Sequence, residues 1–536
     1  MKTKTFFILN RSVLIILFLA FFISCRDLNP IDGISGSEIS DNGVPWYELI
    51  DQFNLAPGII VSNGSSIQEA IDVADPGDVI YIEAGVYRES ISLNKSVKLV
   101  GLNEDLSGSV VLENPREMEM LDISNGAELS NIQLMNYEIS TSELKSGKKD
   151  KNAQNQKFIT MTRSELRDNV AYYKFDVRLG HGKYERITLH RLVRENVPYR
   201  PAKTKGNIFM VHGANQNFRD IYLEVGAIDV TPKTSIAMYL ASNGIDVWGI
   251  DLGWTRVPEE ETDFSFMKDW GIDREVDDIL KGMAVARLIR GITKQGFERM
   301  NLLGFSYSIG LVYVAASRET QEHRVKRDIE GIIPVDGDLI YDPQDNVAVD
   351  LCCANAQNSK TNLDNGIYSS KSETSIFGQL AAASPDDPSP IFPGLTNFQA
   401  ALFLGASTYE LGGFPNSYWH FVAGVYDNGI PVDLAYTSTE RWIQLLAQIH
   451  AGPYMPEKAA YEYSTCECNA ENSTLDDHLG DIYIPVLYMG SGGVGTQGYY
   501  TVDQLGSQDV TKHLVSLNAD PTLDFGHGDL FLADNA

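Results

Sequence analysis

The hydrophobic pattern of this 536-residue chain changes twice along its length. Near the amino terminus, residues 12–23 form one unbroken apolar run. Over 57–140, apolar and polar residues alternate in short segments separated by turn residues, which is typical of half-buried strands. From 157 onward, apolar runs of strand length alternate with helical segments. This order predicts a doubly wound α/β domain with a mostly parallel sheet.

Segment 57–140 is predicted to be a small all-β module. Ser65 and Ser66 precede a short helix that runs to Ile71, and residues 75–78 form a turn. Short strands are predicted at 79–82, 90–93, 97–100, 110–112 and 121–123.

The stretch SIQEAIDVADPGDVIYIEAGVYRESISLNKSVKLVG, residues 66–101, resembles the opening coils of a right-handed parallel β-helix of the pectin-lyase-like family. The catalytic residues of that family lie on later coils, which have no counterpart in this segment. The resemblance therefore implies a binding or spacer module, which must be capped because stacked coils need neighbours to bury their faces. A plain β-sandwich is the alternative that the strand pattern leaves open.

Segment 157–536 carries the predicted α/β domain. A hairpin is expected from 173–177 and 187–192, which flank a turn that contains glycine. The other strands of the main sheet are predicted at 207–211, 247–250, 300–303, 332–335 and 484–489. Helices are predicted near 235–241 and 275–294.

The residues between the last two of these strands, about 340–480, are too many for a connection within a compact sheet. Helical stretches around 398–404 and 442–449 and many aromatic residues predict a cap over the active site. Four cysteines lie near its two ends, and in an exported protein we expect disulfides between the two pairs. A zinc site is the other possibility, although the spacing fits the usual knuckles poorly. These cysteines are Cys352, Cys353, Cys466 and Cys468.

The apolar run 12–23 follows a positively charged start, has the length of a signal-peptide core and is short for a membrane span. It ends in Phe22-Ile23-Ser24-Cys25, which resembles a bacterial lipobox, although leucine is commoner at the first of these positions. The resemblance implies a lipoprotein signal over 1–25, a lipid anchor on Cys25 and a tether over 26–56. The enzyme would then lie on the bacterial cell envelope, facing the periplasm or the exterior. A plain signal peptide is the alternative.

The formal net charge of −29 disfavours nucleic acid as a partner, because its phosphates would be repelled. Residues 141–156 are polar and rich in lysine, and they are predicted to be an exposed linker between the two domains. The sequence contains no glycine-rich phosphate loop and no convincing metal-ligand spacing, so neither a cofactor nor a metal is expected.

The sequence Gly304-Phe305-Ser306-Tyr307-Ser308 lies between the predicted strand 300–303 and an apolar segment at 309–316. Strand, sharp turn and helix in this order form a nucleophile elbow, which lifts the serine hydroxyl clear of the sheet. Ser306 is therefore the candidate nucleophile. It needs a base and an orienting acid before it can attack a carbonyl.

Residues 157–536 are similar to the α/β-hydrolase family in four motifs, which occur in the family's order. They are Val211-His212-Gly213, GIDVWGIDLGWTR at 244–256, the Gly-x-Ser elbow, and Phe525-Gly526-His527-Gly528-Asp529. Ser308 departs from the pattern, because glycine is usual at that position of the elbow. The resemblance implies that His527 is the base, whereas His212 shapes the oxyanion loop.

The same resemblance places the oxyanion hole at backbone N–H groups. One is that of Tyr307, next to the nucleophile. The other would come from the loop after His212-Gly213, either from Ala214 or from Asn215.

The acid should lie between Ser306 and His527 in the sequence. Its usual position, after the strand 484–489, has no carboxylate, because residues 490–495 are glycine, serine and valine. One strand earlier, Asp336 follows the strand 332–335, and it is the first candidate. Asp509 is the second, and two further alternatives remain, Asp338 and Asp503.

These features predict an exported, lipid-anchored serine esterase or lipase that works through a Ser-His-Asp triad and an acyl-enzyme. The aromatic cap predicts a bulky or apolar ester as substrate, such as a lipid. One alternative is a carbohydrate esterase whose acylated polysaccharide is held by the module at 57–140. The alternative outside the enzymes is a non-catalytic surface-binding lipoprotein that keeps the hydrolase fold.

Overall fold

The computed structural model describes residues 47, 50, 55–102, 110–115, 119–122, 127–135, 137–140, 159–180, 182–227, 229–407, 419–468 and 473–534. The predicted signal peptide 1–25 with Cys25, most of the tether 26–56 and the linker 141–156 lie outside these residues. Among the helices that the structure describes, none combines the length and the apolar character that a membrane span requires.

The amino-terminal module consists of short strands that pair in parallel. Its helix α1 (Ile67–Val73) begins at Ser66, whose hydroxyl accepts a hydrogen bond from the backbone N–H of Glu69 at 3.1 Å. Three ladders have the strand orders β1-β2-β4-β7, β3-β5-β8 and β6-β9, and all of their pairs are parallel. The strands are β1 (Ile59–Val61), β2 (Val79–Glu83), β3 (Gly85–Arg88), β4 (Lys98–Leu102), β5 (Val110–Glu113), β6 (Glu119–Asp122), β7 (Glu128–Ser130), β8 (Ile132–Met135) and β9 (Tyr137–Ser140).

The predicted strand at 90–93 is wrong, because these residues belong to no strand, and β3 lies in front of them. Ile91 and Leu93 are nevertheless buried, as their alternation with serine indicated. The backbone N–H of Ser92 donates to the side chain of Gln68 at 2.6 Å. In this segment, the alternation of apolar and polar residues therefore indicates which side chains are buried, although the backbone is not paired in a sheet.

Ten strands form the central sheet, whose main path has the order β10-β11-β12-β15-β14-β16-β17-β20-β21, with β13 paired to β12. From β15 to β21 the neighbours are parallel, as predicted. β10, β11 and β12 form an antiparallel edge, of which only the β11–β12 hairpin was predicted. The strands are β10 (Ile159–Glu165), β11 (Val170–Arg178), β12 (Arg186–Val197), β13 (Arg200–Pro201), β14 (Gly206–Val211), β15 (Ile245–Asp251), β16 (Met300–Phe305), β17 (Ile329–Val335), β20 (Val486–Ser491) and β21 (Val510–Val515).

The register of the parallel strands brings their carboxyl ends side by side. Val211 of β14 pairs with Gly304 of β16, and Phe305 pairs with Val335 of β17. Val335 in turn pairs with Met489 of β20. The loops that follow these strands therefore leave the sheet at one edge, which is where open α/β sheets form their sites.

Two buried hydrophobic clusters flank the sheet, one with residues of α3 and α4 and the other with residues of α2. Helix α2 begins at Ser235, whose hydroxyl accepts from the backbone N–H of Met238 at 3.2 Å. The helices are α2 (Ile236–Ser242), α3 (Ile272–Ile292) and α4 (Ser308–Gln321), with a π-helical turn at Arg219–Leu223 and 3₁₀ turns at Gly253–Arg256, Ser265–Met267 and Arg324–Lys326.

The residues between β17 and β20 form an insertion whose regular elements are mostly helices. In it α5 packs against α9, and α6 packs against α8. The helices predicted around 398–404 and 442–449 correspond to α7 and α8. Its elements are α5 (Asn346–Asp364), α6 (Thr374–Ala383), α7 (Asn397–Ala406), β18 (Gly424–Asp427), β19 (Ile430–Leu434), α8 (Thr439–Gln448), α9 (Glu457–Cys468) and a 3₁₀ turn at Leu479–Asp481. The carboxyl-terminal part adds α10 (Tyr499–Asp503), a 3₁₀ turn at Pro521–Leu523 and α11 (Asp529–Leu532).

One disulfide joins α5 to α9, between Cys353 and Cys468. It links the two cysteine pairs, as predicted, but it is the only bridge between them among the described residues, whereas more than one was expected. Cys352 and Cys466 are buried free thiols. A zinc site of four thiolates is excluded, because two of the sulfur atoms belong to the disulfide.

Ion pairs connect the module to the 3₁₀ turn that follows α4. Glu69 of α1 lies 3.2 Å from both His323 and Arg324, and Asp75 lies 3.7 Å from Lys326. These partners are partly or largely exposed, so each pair contributes little to stability. Val325 adds an apolar contact, since it packs against the core of the module.

Removal of the disulfide is expected to destabilise the protein, because the bridge spans 115 residues and restricts the unfolded chain. The Cys353→Ser/Cys468→Ser variant should lose about 2–4 kcal/mol of the free energy of unfolding, measured by urea titration. Cys352→Ser is the matched control, since it leaves the bridge intact and should lose less. Equal losses in the two variants would contradict this role of the bridge.

Candidate active site

Ser306 lies in the sharp turn between β16 and α4, at the carboxyl edge of the sheet. Its φ of +57° is in the left-handed region, which a non-glycine residue adopts only when the surrounding structure enforces it. Ser306 is half-buried, whereas Phe305 and Tyr307 on either side are buried. The turn therefore presents the serine side chain and retains its neighbours in the core.

Two glycines permit the close packing around this turn. A Cβ on Gly304 would lie 2.6 Å from the backbone oxygen of Ser308, and a Cβ on Gly213 would lie 3.1 Å from Cβ of Ser306. The loop after β14 thus passes directly beside the serine. A larger residue at Gly304 would push α4 away from the strand.

Ser308, the departure from the hydrolase pattern, has a contact that the sequence did not reveal. Its hydroxyl oxygen lies 2.7 Å from the carbonyl oxygen of Val211 and accepts from the backbone N–H of Phe305 at 2.9 Å. The side chain therefore ties the elbow to the end of β14, a link that glycine could not make.

His527 and Asp336 meet at the same edge of the sheet. Nδ1 of His527 lies 2.8 Å from Oδ2 of Asp336. The imidazole stacks on the ring of Phe305, with centroids 4.4 Å apart, so it lies against the residue that precedes Ser306. Its Nε2 is buried and has no hydrogen-bond partner among the described residues. The ring therefore has one nitrogen bound to a carboxylate and the other available.

The carboxylate of Asp336 has two further hydrogen bonds, both from Ser491 at the end of β20. The backbone N–H of Ser491 donates to Oδ1 at 2.6 Å, and its hydroxyl donates to Oδ2 at 2.8 Å. Asp336 itself has a φ of +63°, and its N–H donates to the carbonyl of Met489 at 2.7 Å. These donors stabilise a negative charge that is otherwise shielded from water.

The other three candidate acids lie elsewhere. Asp509 precedes β21 at the opposite edge of the sheet, where its carbonyl oxygen accepts from the N–H of Val486. Asp503 forms an ion pair with Lys512. Asp338 accepts from the side chain of Gln497 at 3.3 Å, and burial raises its pKa to about 7. Of the four carboxylates, the structure brings only Asp336 to His527.

Ser491 was missed by the sequence reasoning, which searched the loop 490–495 for a carboxylate. The loop contributes hydrogen-bond donors in place of a carboxylate. The sequence feature that could have drawn attention to Ser491 is its place at the end of a buried strand. No neighbouring residue indicated that its hydrogen-bond partner, Asp336, would be 155 residues away.

The loop that carries His527 is attached to the insertion. The backbone N–H of His527 donates to the carbonyl of His420 at 2.9 Å, and that of Gly528 donates to Phe421 at 2.6 Å. Trp419 and Phe421 also contact the imidazole, with ring centroids 5.3 and 5.7 Å away. The insertion thus forms one wall of the site and fixes the histidine loop.

Asp529, which was named as part of the motif but given no role, stabilises this loop through its carboxylate. Its carboxylate accepts from the backbone N–H of Gly526 at 2.8 Å, from that of Ala423 at 2.7 Å and from the hydroxyl of Thr437 at 2.6 Å. Burial raises its pKa to about 6. The loop and the insertion are therefore joined by side-chain as well as backbone hydrogen bonds.

His212 has both ring nitrogens engaged. Leu252 donates its backbone N–H to Nε2 at 3.2 Å, so Nδ1 carries the proton and donates to the carbonyl of Gly213 at 2.8 Å. Burial lowers the pKa of this imidazole to about 4, so the ring is neutral near pH 7. Its position fits a residue that shapes the loop after β14.

The candidate oxyanion donors differ in whether their backbone N–H groups already donate a hydrogen bond. The backbone N–H of Asn215 donates to the carbonyl of Tyr454 at 3.2 Å. For the N–H groups of Ala214 and Tyr307, the described part of the chain offers no acceptor. Ala214 and Tyr307 are therefore the pair that remains free to bind an anion.

Glu275 of α3 contacts the elbow through Tyr307. The hydroxyl of Tyr307 donates to its carboxylate at 2.5 Å, and burial raises the pKa of Glu275 to about 8. This contact holds the residue that follows Ser306. This contact could not be predicted from the sequence, because Glu275 lies in the first turn of a long helix, where acidic residues are common.

No protein-family model matches the chain, and a search of curated proteins finds no relative. Solved structures with a similar fold include a protein from Sulfolobus solfataricus provisionally assigned as a lipase, with 20% identity, a TM-score of 0.48, and coverage of 70% of this chain and 94% of that chain. An esterase from Thermogutta terrifontis has 11% identity, a TM-score of 0.33, and coverage of 69% and 93%. Monoglyceride lipase from Saccharomyces cerevisiae has 12% identity, a TM-score of 0.33, and coverage of 66% and 84%. At these identities and TM-scores, the likeness assigns no activity to the chain.

Buried carboxyls predict that stability falls as the pH rises. Burial raises the pKa of Glu275 and Asp220 to about 8 and that of Asp278 to about 7, so the folded protein retains protons that the unfolded chain has released. We expect the free energy of unfolding to decrease from pH 7 to pH 8.5, measured by urea titration. Glu275→Gln should reduce this slope by up to about 1.4 kcal/mol per pH unit.

The exposed Glu259→Gln is the control for this measurement and should leave the slope unchanged. A slope that Glu275→Gln does not alter would show that Glu275 is already ionised in the folded protein at pH 7.

Proposed function

We propose that this protein is a serine hydrolase that cleaves carboxylic esters, and that its sheet domain belongs to the α/β-hydrolases. The observation that carries the proposal is the buried pair of Asp336 and His527. This pair leaves Nε2 of the imidazole available beside the turn that presents Ser306. A nucleophile, a base and an orienting carboxylate are the parts that acyl transfer by serine needs.

The reaction begins when Nε2 of His527 accepts the proton of the Ser306 hydroxyl while its oxygen attacks the ester carbonyl. Asp336 holds the ring in the tautomer with the proton on Nδ1 and stabilises the imidazolium that forms. The N–H groups of Tyr307 and Ala214 stabilise the oxyanion, and each such donor contributes on the order of 3 kcal/mol. The imidazolium then gives its proton to the leaving alcohol, and an acyl-enzyme remains.

Hydrolysis of the acyl-enzyme repeats these steps with water as the nucleophile. His527 takes a proton from the water, the hydroxide oxygen attacks the acyl carbon, and the proton passes to the oxygen of Ser306 as the acid leaves. The aromatic wall formed by Trp419 and Phe421 favours an apolar group next to the imidazole. This wall supports an ester with an apolar acyl or alcohol group as the substrate.

The cellular setting is part of the proposal. Lipid attached to Cys25 would tether the enzyme to the bacterial cell envelope, on the periplasmic or outer side. The parallel ladders of β1 to β9 support the interpretation of the module as a short β-helix, placed between the tether and the hydrolase domain.

Ser306→Ala is expected to lower the hydrolysis of p-nitrophenyl esters by at least about 1,000-fold, because the nucleophile is lost. The same variant should lose covalent labelling by a fluorophosphonate, and peptide mapping of the wild type should find the label on Ser306. The exposed Ser370→Ala is the control and should keep full activity and labelling. Equal turnover by Ser306→Ala would favour a non-catalytic binding protein.

Asp336→Asn is expected to lower kcat by about 10,000-fold, since an amide neither stabilises the imidazolium nor selects the tautomer. Asp509→Asn is the matched control and should be close to wild type. Ser491→Ala removes one of the three hydrogen bonds to the carboxylate and should have an intermediate effect. Loss of activity in Asp509→Asn with an active Asp336→Asn would transfer the role of the acid to Asp509.

A further inference from the structure

A basic cavity lies at the edge of the sheet opposite Ser306. Its volume is about 530 Å³, and its lining includes the amino-terminal residues of β14 and β16 together with part of the module. Gly206 and Asn207 open β14, Asn301 is the second residue of β16, and Ile60 and Ser62 come from the module. The cavity is therefore closed from one side by the module and from the other by the sheet domain.

The charge of the lining is opposite to that of the protein. Seven lysine and arginine side chains line the cavity against two glutamates, although the whole chain has a net charge of −29. Three of the seven are compensated, because Arg287, Arg290 and Arg324 pair with Asp328, Asp246 and Glu69. The other four form no ion pair with any carboxylate in the described part of the chain. They are Lys203, Lys205, Arg299 and Arg327.

Two of these four cations are held in place by backbone carbonyls. The guanidinium of Arg299 donates to the carbonyl of Arg324 at 2.7 Å. That of Arg327 donates to the carbonyls of Glu322 and Thr320 at 2.9 and 3.0 Å. Backbone carbonyls fix the position of a guanidinium without supplying a counter-charge. Arg299 also faces buried carboxyls, because its charge opposes the rise in pKa of Glu319 and Asp328. Both arginines are half-buried, whereas Lys203 and Lys205 are exposed at the rim.

The cavity also offers an unused acceptor. The amide of Asn301 is oriented by a hydrogen bond from its Nδ2 to the carbonyl of Asn207 at 3.2 Å. Its Oδ1 is buried and accepts no hydrogen bond from the described residues. A buried acceptor without a partner is costly, so a ligand that donates a hydroxyl there would be favoured.

We propose that this cavity binds an acidic sugar, with a carboxylate, sulfate or phosphate group on the unpaired cations and a hydroxyl group directed to Asn301. The volume lies within the range of small-ligand sites. The anion would contact Arg299 and Arg327, and the lysines would add charge at the rim. Ile60 and Ser62 of the module form part of the wall, so the ligand would contact both domains. The site lies away from Ser306 and does not depend on the proposed ester hydrolysis.

Calorimetric titration of the mature protein tests this inference. The ligands are an oligogalacturonate, a sulfated oligosaccharide, glucose 6-phosphate, inorganic phosphate and a neutral maltooligosaccharide, each at low and high salt. We expect at least one acidic sugar to bind more tightly than both inorganic phosphate and the neutral sugar. Its affinity should fall as salt screens the cations. The three acidic sugars distinguish carboxylate, sulfate and phosphate as the preferred group.

Lys203→Glu/Lys205→Glu is the variant, because both side chains are exposed and their replacement spares the fold. It should weaken binding of the acidic sugar more than about tenfold, because two positive charges that attract the anion become two negative charges that repel it. Lys268→Glu/Lys371→Glu makes the same change of charge at exposed positions outside the cavity lining and should keep the affinity.

Any of the following results would overturn the inference: no binding of any acidic sugar at low salt, equal binding of the neutral sugar, or equal weakening in the two lysine variants. Preference for inorganic phosphate would likewise exclude a sugar as the ligand. Ester hydrolysis by Lys203→Glu/Lys205→Glu should be unchanged, and Ser306→Ala should bind the sugar normally. These measurements therefore test the proposed sugar binding and the proposed ester hydrolysis separately.

Discussion

One buried negative charge organises the candidate site. The side chain of Asp336 has no exposed surface, and an isolated carboxylate in such a place would be strongly unfavourable. Three hydrogen bonds compensate it, one from His527 and two from Ser491. Asp336 follows β17, Ser491 ends β20 and His527 lies on the histidine loop. The charge is therefore stabilised only when these three parts of the sheet domain are correctly placed together.

The insertion is a structural part of this arrangement. The histidine loop donates backbone hydrogen bonds to the carbonyls of His420 and Phe421, and the carboxylate of Asp529 accepts from the N–H of Ala423. Aromatic rings of the same segment enclose the imidazole. Movement of the insertion would consequently alter the position of the base, so access to the site and its geometry are coupled.

The sequence was sufficient for the features that depend on local pattern. Buried strands, the elbow at Ser306 and the glycine-flanked His527 each follow from a short stretch of residues. The acid could only be ranked among four aspartates, because its distance to the imidazole depends on the order of the strands. The roles of Ser491 and Asp529 were missed for the same reason, since their partners are remote in sequence or are backbone atoms. The error at 90–93 has a different cause, because alternation records burial and cannot tell a paired strand from an unpaired one.

Asp336 is synthesised long before the residues that hydrogen-bond to its carboxylate. Ser491 follows it by 155 residues and His527 by 191. A ribosome exposes the carboxylate long before either donor, so a nascent polypeptide holds it in water or bound to other groups. The candidate site can therefore form only after both Ser491 and His527 have left the ribosome.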